Sequence, residues 1–194
     1  LREHREAVRL NPQLAEAYVN IGVELASLGR LEEAAQAYET SLRIFPNQPL
    51  VLHNLAIALV GLGRVDEAVE KMRVAARLAP DSPNILRNLA DTLQARGDSE
   101  GALAAYGSVL RLQPDSGETY QNIGVALVRA GRREEALHAF QEAARLMPES
   151  GLVQMSLATV LTSMNRPEEA LPYFARAVQT IEPTRAADAH NEFG

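Results

Sequence analysis

The sequence predicts an all-α fold, a solenoid of antiparallel helix pairs. Three observations predict it. Apolar residues recur at helical spacing in short runs, each run is closed by a Gly or Pro turn, and the whole pattern returns every 34 residues. Units of that size cannot bury an apolar face alone and must stack on their neighbours, so the 194 residues need no single central core.

The unit that defines the pattern is residues 15–48, reading AEAYVNIGVELASLGRLEEAAQAYETSLRIFPNQ. A helix-period pattern runs from Tyr18 to Leu28, Gly29-Arg30 breaks it, a second pattern begins at Leu31, and Pro46 closes the unit. Further units follow at 49–82, 83–116, 117–150 and 151–184, the last with a small irregularity of length at its end. Residues 1–14, with Ala7, Leu10 and Pro12 in phase, read as the second helix of a partial repeat. Residues 185–194 read as the start of a further repeat, because ADAHNEFG parallels AEAYVNIG. The whole of 1–194 is expected to form one solenoid domain. With no polar capping helix at either end, it reads as an internal fragment of a longer protein.

Within the units, position dictates residue type. Small residues recur at Gly22, Ala56, Ala90, Gly124 and Ala158, and again at Ala34, Ala68, Ala102, Ala136 and Ala170, where two helix backbones must approach closely. Bulk is supplied by Leu25, Leu59, Leu93, Leu127 and Leu161, and by Tyr38, Met72, Tyr106, Phe140 and Phe174, which are expected core positions. Gly29, Gly63, Gly97 and Gly131 close the first helices, with Asn165 in the fifth unit, as a left-handed helix end requires. Second helices open with acids, as in Glu32-Glu33 and Glu134-Glu135, and carry Arg43, Arg77, Arg111 and Arg145 near their ends. That placement complements the helix macrodipole and marks these charges as structural. Ser82, Ser116 and Ser150 stand where N-caps are expected.

Helix pairs at this period, with small residues at Gly22 and Ala34, an aromatic at Tyr38 and a closing Pro46, make the chain similar to the tetratricopeptide repeat family over essentially its whole length. The departures are mild: Leu stands where the family usually has an aromatic in the Leu25 column, and Tyr or Leu replaces Trp at Tyr18, Leu52, Leu86 and Tyr120. The resemblance implies a right-handed α-solenoid whose first helices line a concave groove.

Composition excludes several function classes. A net charge of -6 with dispersed basic residues argues against a nucleic-acid surface. The chain has no cysteine, which removes disulfides and Cys-based zinc sites, and no apolar run of membrane-spanning length, so no membrane insertion is expected. A soluble protein is expected, with the cytoplasm favoured. Lys71 is the sole lysine among basic residues that are otherwise Arg, a bias found in GC-rich bacterial genes. Gly61-Leu62-Gly63 follows a helix and lacks the third glycine of a nucleotide loop, so it reads as a helix end. His4, His53, His138 and His190 are too dispersed for ligand spacing. Adjacent acids such as Glu134-Glu135 point about 100° apart on a helix and cannot act as a facing acid and base. Neither catalysis nor a metal or cofactor is expected.

The functional signal is a column of asparagines, Asn20, Asn54, Asn88 and Asn122, continued as Ser156. Each precedes a core residue (Ile21, Leu55, Leu89, Ile123), which turns it toward the edge of the packed face. A side-chain amide offers both donor and acceptor and so suits a peptide bond whatever its side chain. The resemblance implies that such a ladder holds a partner peptide; the structural alternative is bonding between neighbouring helices. Val23, Ile57 and Val125 are expected to receive side chains, and Arg87 and Arg129 stand as isolated positive points. A family subset grips C-terminal carboxylates with basic residues beside such asparagines, but Val19, His53 and Gln121 are not basic and Asp91 would repel an acidic tail. A neutral or amphipathic segment, extended or helical, fits better. The expected function is therefore a protein-interaction scaffold. Two alternatives are the non-catalytic, substrate-presenting arm of a larger enzyme such as a glycosyltransferase, and a solenoid that self-associates end to end.

Overall fold

The computed structural model describes His4, Asn11 and residues 14–192, with side chains described to Thr180. The chain divides into two compact units, Leu1–Gly101 and Ala102–Gly194. Among the described residues it is entirely helical. The helices are α1 (Ala15–Ser27), α2 (Leu31–Ile44), α3 (Pro49–Gly61), α4 (Val65–Leu78), α5 (Pro83–Ala95), α6 (Ser99–Leu112), α7 (Gly117–Arg129), α8 (Arg133–Leu146), α9 (Gly151–Ser163) and α10 (Pro167–Glu192). In the first compact unit α2 packs on α1 and α3, and α4 on α3 and α5. In the second, α8 packs on α7 and α9, and α9 on α10. Residues 1–14, expected as a partial repeat, lie outside the described residues apart from His4, Asn11 and Leu14. The expected start of a further repeat at 185–194 falls largely within α10, which continues to Glu192 without an intervening turn.

Each pair is closed by the same hydrogen-bonded turn. Gly29, Gly63, Gly97 and Gly131 have φ between 74 and 86°, and Asn165 has φ 59°. In the first repeat Gly29 N–H donates to Ala26 (3.0 Å) and Arg30 N–H to Leu25 (2.9 Å), the paired bonds of a Schellman motif. The equivalent long bonds run from Arg64 to Leu59, Asp98 to Leu93, Arg132 to Leu127 and Arg166 to Leu161. The Leu25 column thus fills the core with its side chain and accepts the closing bond with its carbonyl.

The residue that ends one helix also starts the next. Arg30, Arg64, Arg132 and Arg166 occupy N-cap positions, and each grips the Glu three residues on with two N–H donors, Arg30–Glu33 at 2.6 and 2.6 Å being typical. In the third repeat Asp98 replaces the Arg. Its carboxylate accepts from Gly101 N–H (2.9 Å) and from Arg96 (2.6 Å), and these two bonds hold it below the usual carboxylate range. Ser116 and Ser150 cap α7 and α9 by accepting from Thr119 and Val153 N–H at 3.3 and 3.4 Å. Ser82 does not cap α5, because its hydroxyl makes no such bond; Pro83 at the first helical position already presets the entry φ.

The small columns are where helices touch. Ala34, Ala68, Ala102 and Ala136 are fully buried. A Cβ on Gly22 would stand 2.5 Å from Cε1 of Tyr38, and one on Gly124 would likewise meet the Phe140 ring, so in these two repeats an aromatic packs directly against a bare helix backbone. Leu59 and Leu127 are buried, whereas Phe174 in the last repeat is only half-buried.

Two substitutions separate backbone from core. Gly63→Ala has open space around its Cβ but keeps φ 76°, so it should cost about 1–2 kcal/mol from the left-handed backbone alone. Leu59→Ala, at a position 1% exposed, should cost about 2–5 kcal/mol through lost burial and a cavity. Urea denaturation followed by circular dichroism measures both, and equal costs would contradict the division.

Candidate functional site

The first helices carry the asparagine column on a half-buried edge: Asn20, Asn54, Asn88 and Asn122 are all of intermediate exposure. Their register follows from the helix period, since the neighbouring Ile21 and Leu55 are buried and an adjacent side chain then points to the rim of the packed face. Asn88 reaches across to the preceding repeat, where its amide donates to Nε2 of His53 (2.6 Å). That bond places the proton of the neutral ring on Nδ1. Burial holds the His53 imidazole below the usual histidine range, with a hydrogen bond to the Asn54 side chain opposing it. At Asn88, therefore, the bond between neighbouring helices is realised. Among the described residues the amides of Asn20 and Asn122 make no bond of this kind, and Ser156 turns its hydroxyl back to the Leu152 carbonyl (3.0 Å).

Beside this column the structure places two depressions built to one plan. In the first compact unit a pocket of about 260 Å³ is walled by Val23 and Ala26 of α1, Leu31 and Tyr38 of α2, and Asn54 and Ile57 of α3. In the second, a pocket of about 360 Å³ has Val125 and Val128 of α7, Phe140 of α8, and Ser156, Thr159 and Val160 of α9. Val23, Tyr38, Asn54 and Ile57 correspond by repeat register to Val125, Phe140, Ser156 and Thr159. The first pocket brings together Asn54, Val23 and Ile57, and the second Val125 and Arg129. Asn20, Asn88, Asn122 and Arg87 line neither. Val23 and Ile57 are 47% and 50% exposed, which is high for aliphatic side chains on a helix that also faces the core.

Sequence reading missed the second wall of each pocket. Leu31, Phe140 and Arg133 belong to second helices and meet the first helix of their own repeat, and the first helix of the next repeat completes each pocket. A signal was present in the spacing, since every member of the smaller pocket has its counterpart in the larger one. Among the described residues no three His, Asp or Glu side chains converge to hold a metal ion, and no helix is long and apolar enough to cross a membrane.

Comparison with known proteins gives the same architecture. Profiles described as tetratricopeptide repeat match residues 15–48, 49–70, 81–149 and 122–190. Among solved structures, MamA 41-end from Desulfovibrio magneticus RS-1 superposes with a TM-score of 0.82 at 23% identity, covering 87% of this chain and 96% of that one. A structure described as MamA MSR-1 gives 0.74 at 29% identity, covering 88% and 98%. Another, described as the crystal structure of MamA protein, gives 0.81 at 20% identity, covering 89% and 94%. No curated protein matches the chain at a significant level.

The depressed titration of His53 has a defined consequence for stability. The folded state resists protonating this ring, so between its folded value and about 6.5, the value of an unperturbed histidine, the unfolded chain binds more protons. Stability should fall as pH drops through that upper limit and level off below the folded value. Thermal melts across this range should show the decline in the parent protein and a flatter profile in His53→Gln; identical profiles would contradict it.

Proposed function

The chain belongs to the tetratricopeptide repeat family, and on that premise we propose that it is a protein-interaction module whose first-helix face captures a segment of a partner protein. The all-helical repeat fold is consistent with a protein-interaction scaffold. The finer reading rests on one observation: a mainly apolar depression, flanked by the asparagine column or its serine continuation, is present in both compact units in the same register. Amides on the rim can pair with the partner's peptide groups, while Val23 and Ile57 in one unit, and Val125 in the other, receive its side chains. Peptide-group pairing is sequence-tolerant, and the pockets add selectivity for bulky apolar residues. Arg87 and Arg129 contribute positive charge beside the same column.

Replacing Asn54, Asn88 and Asn122 together by Ala tests this reading. All three are half-buried and lie outside the small-residue contacts, so the variant should keep its helicity, although Asn88 also gives up its bond to His53 and with it roughly 0.5–1.5 kcal/mol of stability. Affinity capture with the parent protein and the triple variant, quantified by mass spectrometry, should show the partner retained by the first and depleted by about tenfold or more with the second, for roughly 0.5–1.5 kcal/mol per lost hydrogen bond. Undiminished capture by a fully helical variant would sink the assignment of this face.

A further inference from the structure

Building on that peptide-binding reading, we propose that the pocket in the second compact unit selects a partner segment in which a bulky aliphatic or aromatic side chain lies beside an Asp or Glu. The floor is apolar, formed by Val125, Val128, Phe140, Met155 and Val160. Its volume of about 360 Å³ is at the low end of the roughly 300–1,000 Å³ range of ligand pockets and accommodates one large side chain. The rim carries two guanidiniums, Arg129 at the end of α7 and Arg133 at the start of α8, and no carboxylate lines the pocket.

The other polar groups at the rim are hydroxyls, and their protons are engaged. Ser156 donates to Leu152 (3.0 Å), Thr159 to Met155 (2.8 Å) and Ser163 to Val160 (2.7 Å), all backbone carbonyls of α9. The donor placed to meet an incoming anion is therefore the exposed Arg133 guanidinium, which suits a carboxylate in fork geometry, while Arg129 adds positive charge to the same rim. The neighbouring Arg132 is committed to Glu135 at 2.6 and 2.7 Å, and Glu134, adjacent to Arg133, is exposed and does not line the pocket. The equivalent pocket in the first compact unit has Leu31 in the register of Arg133, and its walls carry no charge. One chain thus holds two pockets of one plan and different electrostatics, and only one is matched to an acidic neighbour.

The probe is a short, end-blocked Gly/Ser peptide carrying Asp-Phe-Asp, titrated into the whole chain while the methyl resonances of Val125, Val128 and Val160 are followed by NMR. Matched peptides carry Asn-Phe-Asn or Asp-Ala-Asp. The Asp-Phe-Asp peptide should move these methyls at about 2- to 5-fold lower concentration than Asn-Phe-Asn, the range expected for an exposed ion pair, and Asp-Ala-Asp should move them least. R133L, which installs the residue that α2 carries in the same register, should fold normally by circular dichroism and diminish the preference for Asp over Asn. Equal midpoints for the Asp and Asn peptides, an undiminished preference in R133L, or shifts confined to Val23 and Ile57 would each overturn the inference while leaving capture through the asparagine column intact. Absence of any shift would overturn it as well, as would dodecanoate moving the same methyls more strongly than the peptide, which would make the occupant a lipid.

Discussion

The structure depends on the left-handed residue that closes each first helix. Because Gly29 and its equivalents take φ near 75–85°, the chain reverses in three residues, and the same reversal delivers the carbonyl of the Leu25 column to the N–H of the next N-cap. Within each compact unit the antiparallel pairing of first and second helices follows from that turn. So does the position of the second helix, which starts at Leu31, Val65, Ser99, Arg133 and Pro167 with no drift in register. Asn165 performs the same reversal in the last repeat, being the non-glycine residue that best tolerates this conformation.

With the turn fixed, the small columns decide how close the helices come, and closeness decides what is left exposed. The Ala34 column is fully buried, and the rings of Tyr38 and Phe140 press on glycine backbones. Side chains one position round each first helix are then held half out of the core. Val23 and Ile57 remain half exposed because they face the depression between consecutive first helices, which Leu31 and Tyr38 of α2 wall without filling. The candidate site is a by-product of the packing that makes the repeat, and its recurrence in both compact units follows from the recurrence of the turn. The charged residues play a different part, since the Arg–Glu pairs at the starts of the second helices lie in solvent and serve the helix ends.

Much of this was legible in the sequence because it is local. A left-handed Gly, a buried Ala column and an amphipathic run each leave a mark within a few residues, and Gly29, Ala34 and Leu25 could be assigned from such marks alone. What could not be read was whatever needs two repeats at once. The Asn88–His53 bond joins α5 to α3, and the walls of each pocket come from three helices. The pairing of Arg30 with Glu33 was missed for another reason: the acids already had a sufficient explanation in the helix dipole, although Arg three residues before Glu recurs at four helix starts. Asp98 is the counterpart that departs from this pattern, supplying a true side-chain cap where the arginine is absent.

The central claim is that partners are held on the first-helix face. Site-specific photocrosslinking tests it most directly, with a photoreactive residue placed singly at Ile57 or Thr159 on that face and at Glu70 or Gln141, exposed on second helices, for comparison. The account predicts partner adducts from Ile57 and Thr159 and little or none from Glu70 and Gln141. Adducts formed from Glu70 and Gln141 with none from Ile57 and Thr159 would contradict it.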